Sequence, residues 1–174
     1  MACGQILDAG RRRGDGCQAF GRGFRQSHSR RRLGHRQFCI VGELCTSGNF
    51  VGVEHRAELV QTARTAAARL NLTRTTFIHD DAFNVDWDEF SGFYFYNPFL
   101  EHFIPGTAID HTVDVTLQNY YECVREVTAR LGTRPAGTRV VTHHGYGARM
   151  PKGYKLYLKK PCNDGLIELW VKTT

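Results

Sequence analysis

The sequence lacks the features that mark membrane-spanning, secreted and metal-stapled proteins. No apolar run approaches the roughly 20 residues that cross a bilayer. We expect no secretory signal, because the first residues lead into arginines and glycines instead of an apolar segment. The six cysteines form no Cys-x-x-Cys pair, which argues against a zinc ribbon or a disulfide scaffold. We therefore expect a cytoplasmic globular protein with no membrane partner and no bound metal.

Positive charge is concentrated at the start of the chain. Residues 1–37 hold nine arginines and two aspartates, a net charge of +7, whereas residues 38–174 hold 14 basic and 15 acidic residues, a net charge of −1. A basic arm on a neutral domain could neutralise the phosphates of a nucleic acid. We favour the alternative that residues 1–37, which are rich in arginine and glycine, form an irregular segment that is not native to the fold. The globular domain then spans residues 38–174.

Regular elements are predicted from residue 38 onward, where apolar residues begin to recur with helical or strand spacing. The predicted helices cover residues 38–45, 57–71 and 113–131, and the predicted strands cover residues 50–54, 75–79, 93–96, 138–142, 154–160 and 166–172. Strands that alternate with helices and end in a hairpin predict an α/β sheet that is mostly parallel with an antiparallel edge.

Candidate ligand-binding residues follow the predicted strands, because ligands of open α/β sheets bind beyond the carboxyl ends of the strands. Glu54 could accept hydrogen bonds from both hydroxyls of a ribose; alternatively, it is a surface acid paired with Arg56. Asp81, which precedes Ala82, could accept an exocyclic amine such as that of adenine; alternatively, it caps a helix or turn. Each assignment is ambiguous when it is considered alone.

The peptide Asn97-Pro98-Phe99 follows the next predicted strand and predicts a fixed turn. Asn97 offers an amide oxygen, and Pro98 has no N–H, so carbonyl groups stay available as acceptors. Such a turn can hold an amine nucleophile by two hydrogen bonds. Phe99 or Tyr96 could lie against a sulfonium group through a cation–π attraction. The alternative is a turn that only ends a strand, with aromatic residues in the core.

The three features follow one another in the order Glu54, Asp81-Ala82 and Asn97-Pro98-Phe99. With this order, residues 50–99 resemble the class I S-adenosylmethionine-dependent methyltransferases, and a weaker match extends over residues 38–174. The resemblance implies a three-layer Rossmann-like sheet and methyl transfer from S-adenosylmethionine to an unidentified acceptor, which could be a small molecule, a protein or RNA. It implies that Glu54, with His55 beside it, binds the cofactor ribose. It also implies that Asp81 contacts the adenine amine and that Ala82 adds a backbone contact.

The acceptor side of the resemblance rests on Asn97, Pro98 and Phe99. These residues are similar to an Asn-Pro-Pro-aromatic turn that often handles a nitrogen nucleophile in the family, although the second proline is missing here. The resemblance therefore implies that the turn orients the acceptor and that Asn97 also lies beside the cofactor. Glu101 and His102 could remove a proton after transfer; alternatively, they have a packed or surface role. His143 and His144 could line the acceptor pocket, and Tyr146 and the loop 150–153 could form a lid.

The chain departs from the family at the glycine-rich loop, which is expected roughly 20 residues before the ribose-binding acid. Residues 30–37 read Arg-Arg-Arg-Leu-Gly-His-Arg-Gln, and only Gly34 among them could approach the cofactor closely. No apolar strand precedes them, so we expect the first strand to be missing or irregular. Reading the codons one base later, with suitable codon choices, converts residues 32–36 to Gly-Ser-Gly-Thr-Gly. On this hypothesis residues 1–37 are out of frame and the chain is inactive in this form.

Two functions of other classes stay open at this point. A non-catalytic domain could use the arm formed by residues 1–37 to bind RNA or DNA, and its affinity would then fall steeply with salt. A nicotinamide-dependent oxidoreductase would also use Glu54 on a ribose, but the turn that begins at Asn97 has no role in that chemistry.

Overall fold

A computed structural model of the chain describes residues 5–8, 34–96, 116–162 and 165–174. Within these ranges it contains seven strands, three α-helices and a single 3₁₀ turn at Trp87–Glu89. The strands are β1 Gln5–Asp8, β2 Phe50–Glu54, β3 Thr75–His79, β4 Gly92–Tyr96, β5 Arg139–His143, β6 Tyr154–Cys162 and β7 Gly165–Lys172, and the helices are α1 Gly34–Cys45, α2 Ala57–Arg69 and α3 Leu117–Gly132.

The strands form one mixed sheet in the order β3-β2-β1-β4-β5-β7-β6. Strands β2 and β3 are parallel, as are β4 and β5. Strand β7 runs antiparallel to both β5 and β6, so the chain ends in a hairpin at the edge of the sheet. The predicted α/β class and the predicted terminal hairpin are confirmed. The sheet is mixed rather than mostly parallel, because β1 runs against both of its neighbours.

Strand β1 lies in the centre of the sheet, where a missing or irregular strand was expected. Gln5 pairs with Val53, and Asp8 pairs with Phe50 and Gly92. Strands β2 and β4 each have a row of backbone N–H and C=O groups facing this position, and buried groups of this kind need partners. A four-residue strand with the sequence Gln-Ile-Leu-Asp supplies them. This strand belongs to residues 1–37. The expectation that residues 1–37 are not native to the fold remains a prediction.

The helices pack against the sheet in two apolar clusters. Strand side chains alternate between the two faces, and neighbouring residues of β4 accordingly enter different clusters. Phe95 packs in a cluster with Leu131 of α3, whereas Tyr94 packs in a second cluster with Cys39 of α1 and Val60 of α2. The sheet is thereby covered by α3 on one face and by α1 and α2 on the other.

The Glu43 side chain links the end of α1 to the residues that directly precede β3. Its side chain is buried, and Oε1 accepts hydrogen bonds from the backbone N–H groups of Thr73 at 2.9 Å and Arg74 at 3.0 Å. Burial acts to raise the pKa of this carboxyl group. Hydrogen bonds from the Thr75 hydroxyl and the two N–H groups, together with the Arg74 charge, outweigh burial and lower the pKa below its ordinary value of 4.5.

This environment predicts an acid-dependent contribution to stability. A carboxyl group whose pKa is lower in the folded state stabilises the protein above its unfolded-state pKa, and the contribution disappears as pH falls through the folded-state pKa. We expect Glu43→Gln to lower the free energy of unfolding at pH 7 and to have progressively less effect below pH 4.5. Urea titrations of both proteins between pH 3 and 7 check this. A stability difference that is independent of pH would contradict it.

Candidate functional site

The carboxyl ends of β2, β3, β4 and β5 meet at one edge of the sheet. Because β2 and β4 both run against β1, they run parallel to one another. Strand β2 pairs with β3 so that Glu54 lies opposite His79, and β4 pairs with β5 so that Tyr96 lies opposite His143. The predicted convergence of the post-strand residues is therefore present for β2, β3 and β5. Asn97, Pro98 and Phe99 lie outside the described residues, as do Glu101 and His102.

Glu54 ends β2 with a buried carboxylate. Its Oε1 accepts a hydrogen bond from the backbone N–H of Arg56 at 3.0 Å, and the Arg56 guanidinium Nη1 lies 3.8 Å from the same oxygen. The ionic contact with Arg56 is thus present, but Glu54 is not a surface residue. Glu54 therefore lies at the carboxyl end of a strand, the edge at which ligands of open α/β sheets bind.

His55 adds an unsatisfied polar group beside Glu54. Its Nδ1 lies 2.9 Å from Glu54 Oε1, at hydrogen-bond distance but without hydrogen-bond alignment. Its Nε2 is buried and has no hydrogen-bond partner among the described residues. A buried ring nitrogen without a partner costs free energy, so this position favours a polar ligand. Sequence reasoning placed His55 at the site only through its neighbour Glu54.

The loop after β3 is tied to the end of β2. The backbone N–H of Asp80 donates to the carbonyl of Glu54 at 3.2 Å, and His79 Nε2 lies 2.9 Å from the carbonyl of His55. These contacts hold the residues after β3 beside Glu54. These two contacts were not predicted, because hydrogen bonds to backbone carbonyls at the ends of strands leave no pattern in the sequence.

Asp81 and Ala82 have well-defined local roles in this loop. Asp81 Oδ1 accepts a hydrogen bond from the backbone N–H of Phe83 at 2.9 Å, which is the turn-capping role considered for it. Ala82 is fully buried, and its carbonyl accepts a hydrogen bond from Trp87 Nε1 at 2.9 Å. The charge of Asp81 also reaches α3: burial, and after it this carboxylate, raise the pKa of the Cys123 thiol to about 11.

The Asp80 carboxylate accepts two hydrogen bonds within its own loop, and no role of its own was assigned to it from the sequence. Its Oδ1 accepts hydrogen bonds from Asn84 Nδ2 and from the backbone N–H of Asp81, both at 2.7 Å. These two bonds lower the pKa of Asp80 below its ordinary value. The carboxylate therefore shapes the loop that presents Asp81 and Ala82.

An aromatic cluster occupies the same edge beyond β4 and β5. The rings of His143 and His144 stack at 4.5 Å between centroids, and Tyr96 meets them edge-on at 4.7 and 5.9 Å. Tyr146, considered as a lid residue, is instead a core residue: its ring is buried, and its hydroxyl donates to the carbonyl of Arg149 at 2.7 Å.

Gly34 is the first residue of α1, four residues ahead of the predicted start at residue 38. Within the described ranges, no group of three or more histidine, cysteine, aspartate or glutamate residues is arranged to hold a metal ion. None of the helices in the same ranges is long and apolar enough to span a membrane.

No family model matches the chain, and no curated protein matches it in sequence. One similar solved structure is the "putative methylase HI0767" from Haemophilus influenzae, with a TM-score of 0.42 and 11% sequence identity over 70% of this chain and 71% of that chain. A likeness of this size does not by itself establish a shared fold.

Proposed function

We propose that the chain is a class I S-adenosylmethionine-dependent methyltransferase domain whose cofactor site is incomplete in this form. The observation that carries the proposal is the joining of Glu54 and His55 to the Asp81 loop at one edge of the sheet. The strand order β3-β2-β1-β4-β5 also supports it, since doubly wound sheets of the three-layer Rossmann class have this order and bind nucleotides at the carboxyl ends of their strands, although β1 is parallel to its neighbours in those sheets and antiparallel here.

The residues at this edge fit the adenosine half of the cofactor. Glu54 supplies a buried carboxylate for ribose hydroxyls, and His55 Nε2 is a buried polar atom without a partner among the described residues. Asp81 supplies a carboxylate for the adenine amine, and the Ala82 backbone lies next to it. When bound, S-adenosylmethionine supplies a methyl group on a positively charged sulfur. The proposed acceptor contacts are Asn97, Pro98 and Phe99, with nitrogen as the proposed acceptor atom.

The residues present do not fit the methionine half. Strand β1 runs antiparallel, so its carboxyl end at Asp8 lies beside Phe50 and Gly92, at the edge opposite Glu54. The peptide that enters α1 is therefore the part of the chain left to cradle the methionine half, and Gly34 is the only glycine in residues 30–37.

Adenosine binding to the chain as it exists tests the proposal. We expect saturable changes in the backbone amide resonances of residues 54–56 and 80–82 during titration with adenosine. Glu54→Gln should weaken binding by ~10-fold or more, because hydrogen bonds to a charged group contribute about 1.5–3 kcal/mol. Glu58→Gln is the matched control, since Glu58 is an exposed acid four residues along the chain.

Two results would overturn the adenosine site. One is the absence of a saturable change at residues 54–56 and 80–82. The other is equal affinity of the Glu54→Gln and Glu58→Gln proteins when their thermal unfolding matches that of the parent chain.

A further inference from the structure

A cysteine and a histidine from non-adjacent strands meet beside the aromatic cluster. Cys162 Sγ lies 3.1 Å from His143 Nε2, although β7 lies between their strands β6 and β5. Cys162 pairs with Gly165 of β7. A Cβ atom at Gly165 would clash with the imidazole ring of His144. The absence of a side chain at this position therefore makes room for the imidazole ring of His144, which stacks on that of His143.

The imidazole of His143 is held in place by its surroundings. The residue is buried, with 6% of its surface exposed. His144 stacks on one side of the ring with an interplanar angle of 10°, and Tyr96 approaches edge-on at 85°. These contacts leave Nε2 directed at Cys162 Sγ. When Nε2 carries no proton, it accepts the S–H of the thiol and is positioned to remove that proton.

Cys162 is also reachable from solvent, unlike the core cysteines. It is half-buried, whereas Cys39 and Cys123 are completely buried. Cys45 is exposed and provides an internal reference for an ordinary accessible thiol. A partly exposed thiol with a base at hydrogen-bond distance is the arrangement that distinguishes reactive cysteines from structural ones.

We propose that Cys162 and His143 form a nucleophile–base pair and that Cys162 is a site of covalent modification by low-molecular-weight disulfides. His143 Nε2 takes the thiol proton as the Cys162 sulfur attacks one sulfur of the disulfide. A new S–S bond forms to Cys162, the original S–S bond breaks, and the departing thiolate leaves with the proton. Cys162 is oxidised and the departing thiol is reduced. The proposal is independent of methyl transfer.

Site-resolved mass spectrometry of the intact chain treated with oxidised glutathione tests the pair. We expect Cys162 to form the mixed disulfide ~10-fold or more faster than Cys45 at pH 7, in keeping with a positioned base, which contributes about 10²–10⁴-fold. His143→Gln should reduce the rate at Cys162 to that of Cys45 and leave the Cys45 rate unchanged. Glu58→Gln, which changes an exposed side chain of α2, should leave both rates unchanged.

The comparison of two cysteines within the unaltered chain does not depend on the folding of any variant. Equal rates at Cys162 and Cys45 in that chain would overturn the proposal. A His143→Gln protein that has the parent's thermal unfolding and an undiminished rate at Cys162 would also overturn it.

Discussion

Replacing Phe95 by alanine is expected to lower the free energy of unfolding by about 3–5 kcal/mol, the usual cost of removing a buried phenylalanine ring. Phe95 lies on β4 with none of its surface exposed. Its ring is 5.8 Å from that of Tyr146 and 6.4 Å from that of Trp87. Truncation would leave a cavity between the sheet and α3 that these large rings cannot easily fill. Urea unfolding followed by circular dichroism measures the loss.

Tyr157→Ala is the control for this prediction. Tyr157 lies on the edge strand β6 with 79% of its surface exposed, so its truncation should change the free energy of unfolding by less than about 0.5 kcal/mol. Similar losses for the Phe95 and Tyr157 variants would contradict the assignment of Phe95 to the core.

Lys172→Met is the second substitution with a large expected effect. The Lys172 side chain is buried, and its Nζ donates to the carbonyls of Gly132 and Lys152, each at 3.1 Å. The ammonium group also lies 5.0 Å from the centre of the Tyr154 ring. Gly132 is the last residue of α3, where a cation satisfies a carbonyl and complements the helix dipole.

Methionine retains much of the apolar stem of Lys172 but cannot donate to either carbonyl. A hydrogen bond to a charged group contributes about 1.5–3 kcal/mol. Both bonds are partly buried, and water can replace part of each at the exposed residues Gly132 and Lys152, so we expect a total loss of about 2–4 kcal/mol in the free energy of unfolding. Lys159→Met is the control, because Lys159 is half-exposed in its ion pair with Glu168 at 3.2 Å, and such pairs contribute about 1 kcal/mol or less. Equal effects of the two substitutions would contradict a stabilising role for the buried ammonium.

Sequence periodicity predicted the elements whose apolar residues alternate or recur clearly. Strands β2 and β3 and helix α2 lie where they were expected. Strand β1 was not predicted, because Gln5–Asp8 is short and is surrounded by residues without apolar periodicity. Its position is determined by the unpaired backbones of β2 and β4, which are a property of the assembled sheet.

The candidate site was predictable only where its residues directly follow strands. Glu54 and Asp81 were found in this way, since strand ends define the sheet edge. The Asp80–Glu54 backbone contact, the unpartnered Nε2 of His55 and the Cys162–His143 pair were not found. They depend on loop geometry and on a contact across an intervening strand, neither of which has a characteristic spacing in the sequence.

We propose that this edge binds the adenosine half of S-adenosylmethionine and that the chain does not bind the methionine half because residues 1–37 replace the glycine-rich loop. The most direct test uses a glycine-loop variant carrying Arg32→Gly, Leu33→Ser, His35→Thr and Arg36→Gly. Thermal unfolding of the chain and of this variant is measured with S-adenosylhomocysteine and, separately, with adenosine. The rise in unfolding temperature with adenosine measures binding at the adenosine half of the site alone. Any larger rise with S-adenosylhomocysteine measures the additional binding of the methionine half.

We predict that S-adenosylhomocysteine stabilises the chain no more than adenosine does. At ~100 times its dissociation constant it should stabilise the glycine-loop variant by about 2.7 kcal/mol, a rise in unfolding temperature of roughly 5–10 °C. Equal stabilisation of the chain and the variant by S-adenosylhomocysteine would contradict the loss of the methionine half. The absence of any response to either ligand in both proteins would contradict the methyltransferase assignment itself.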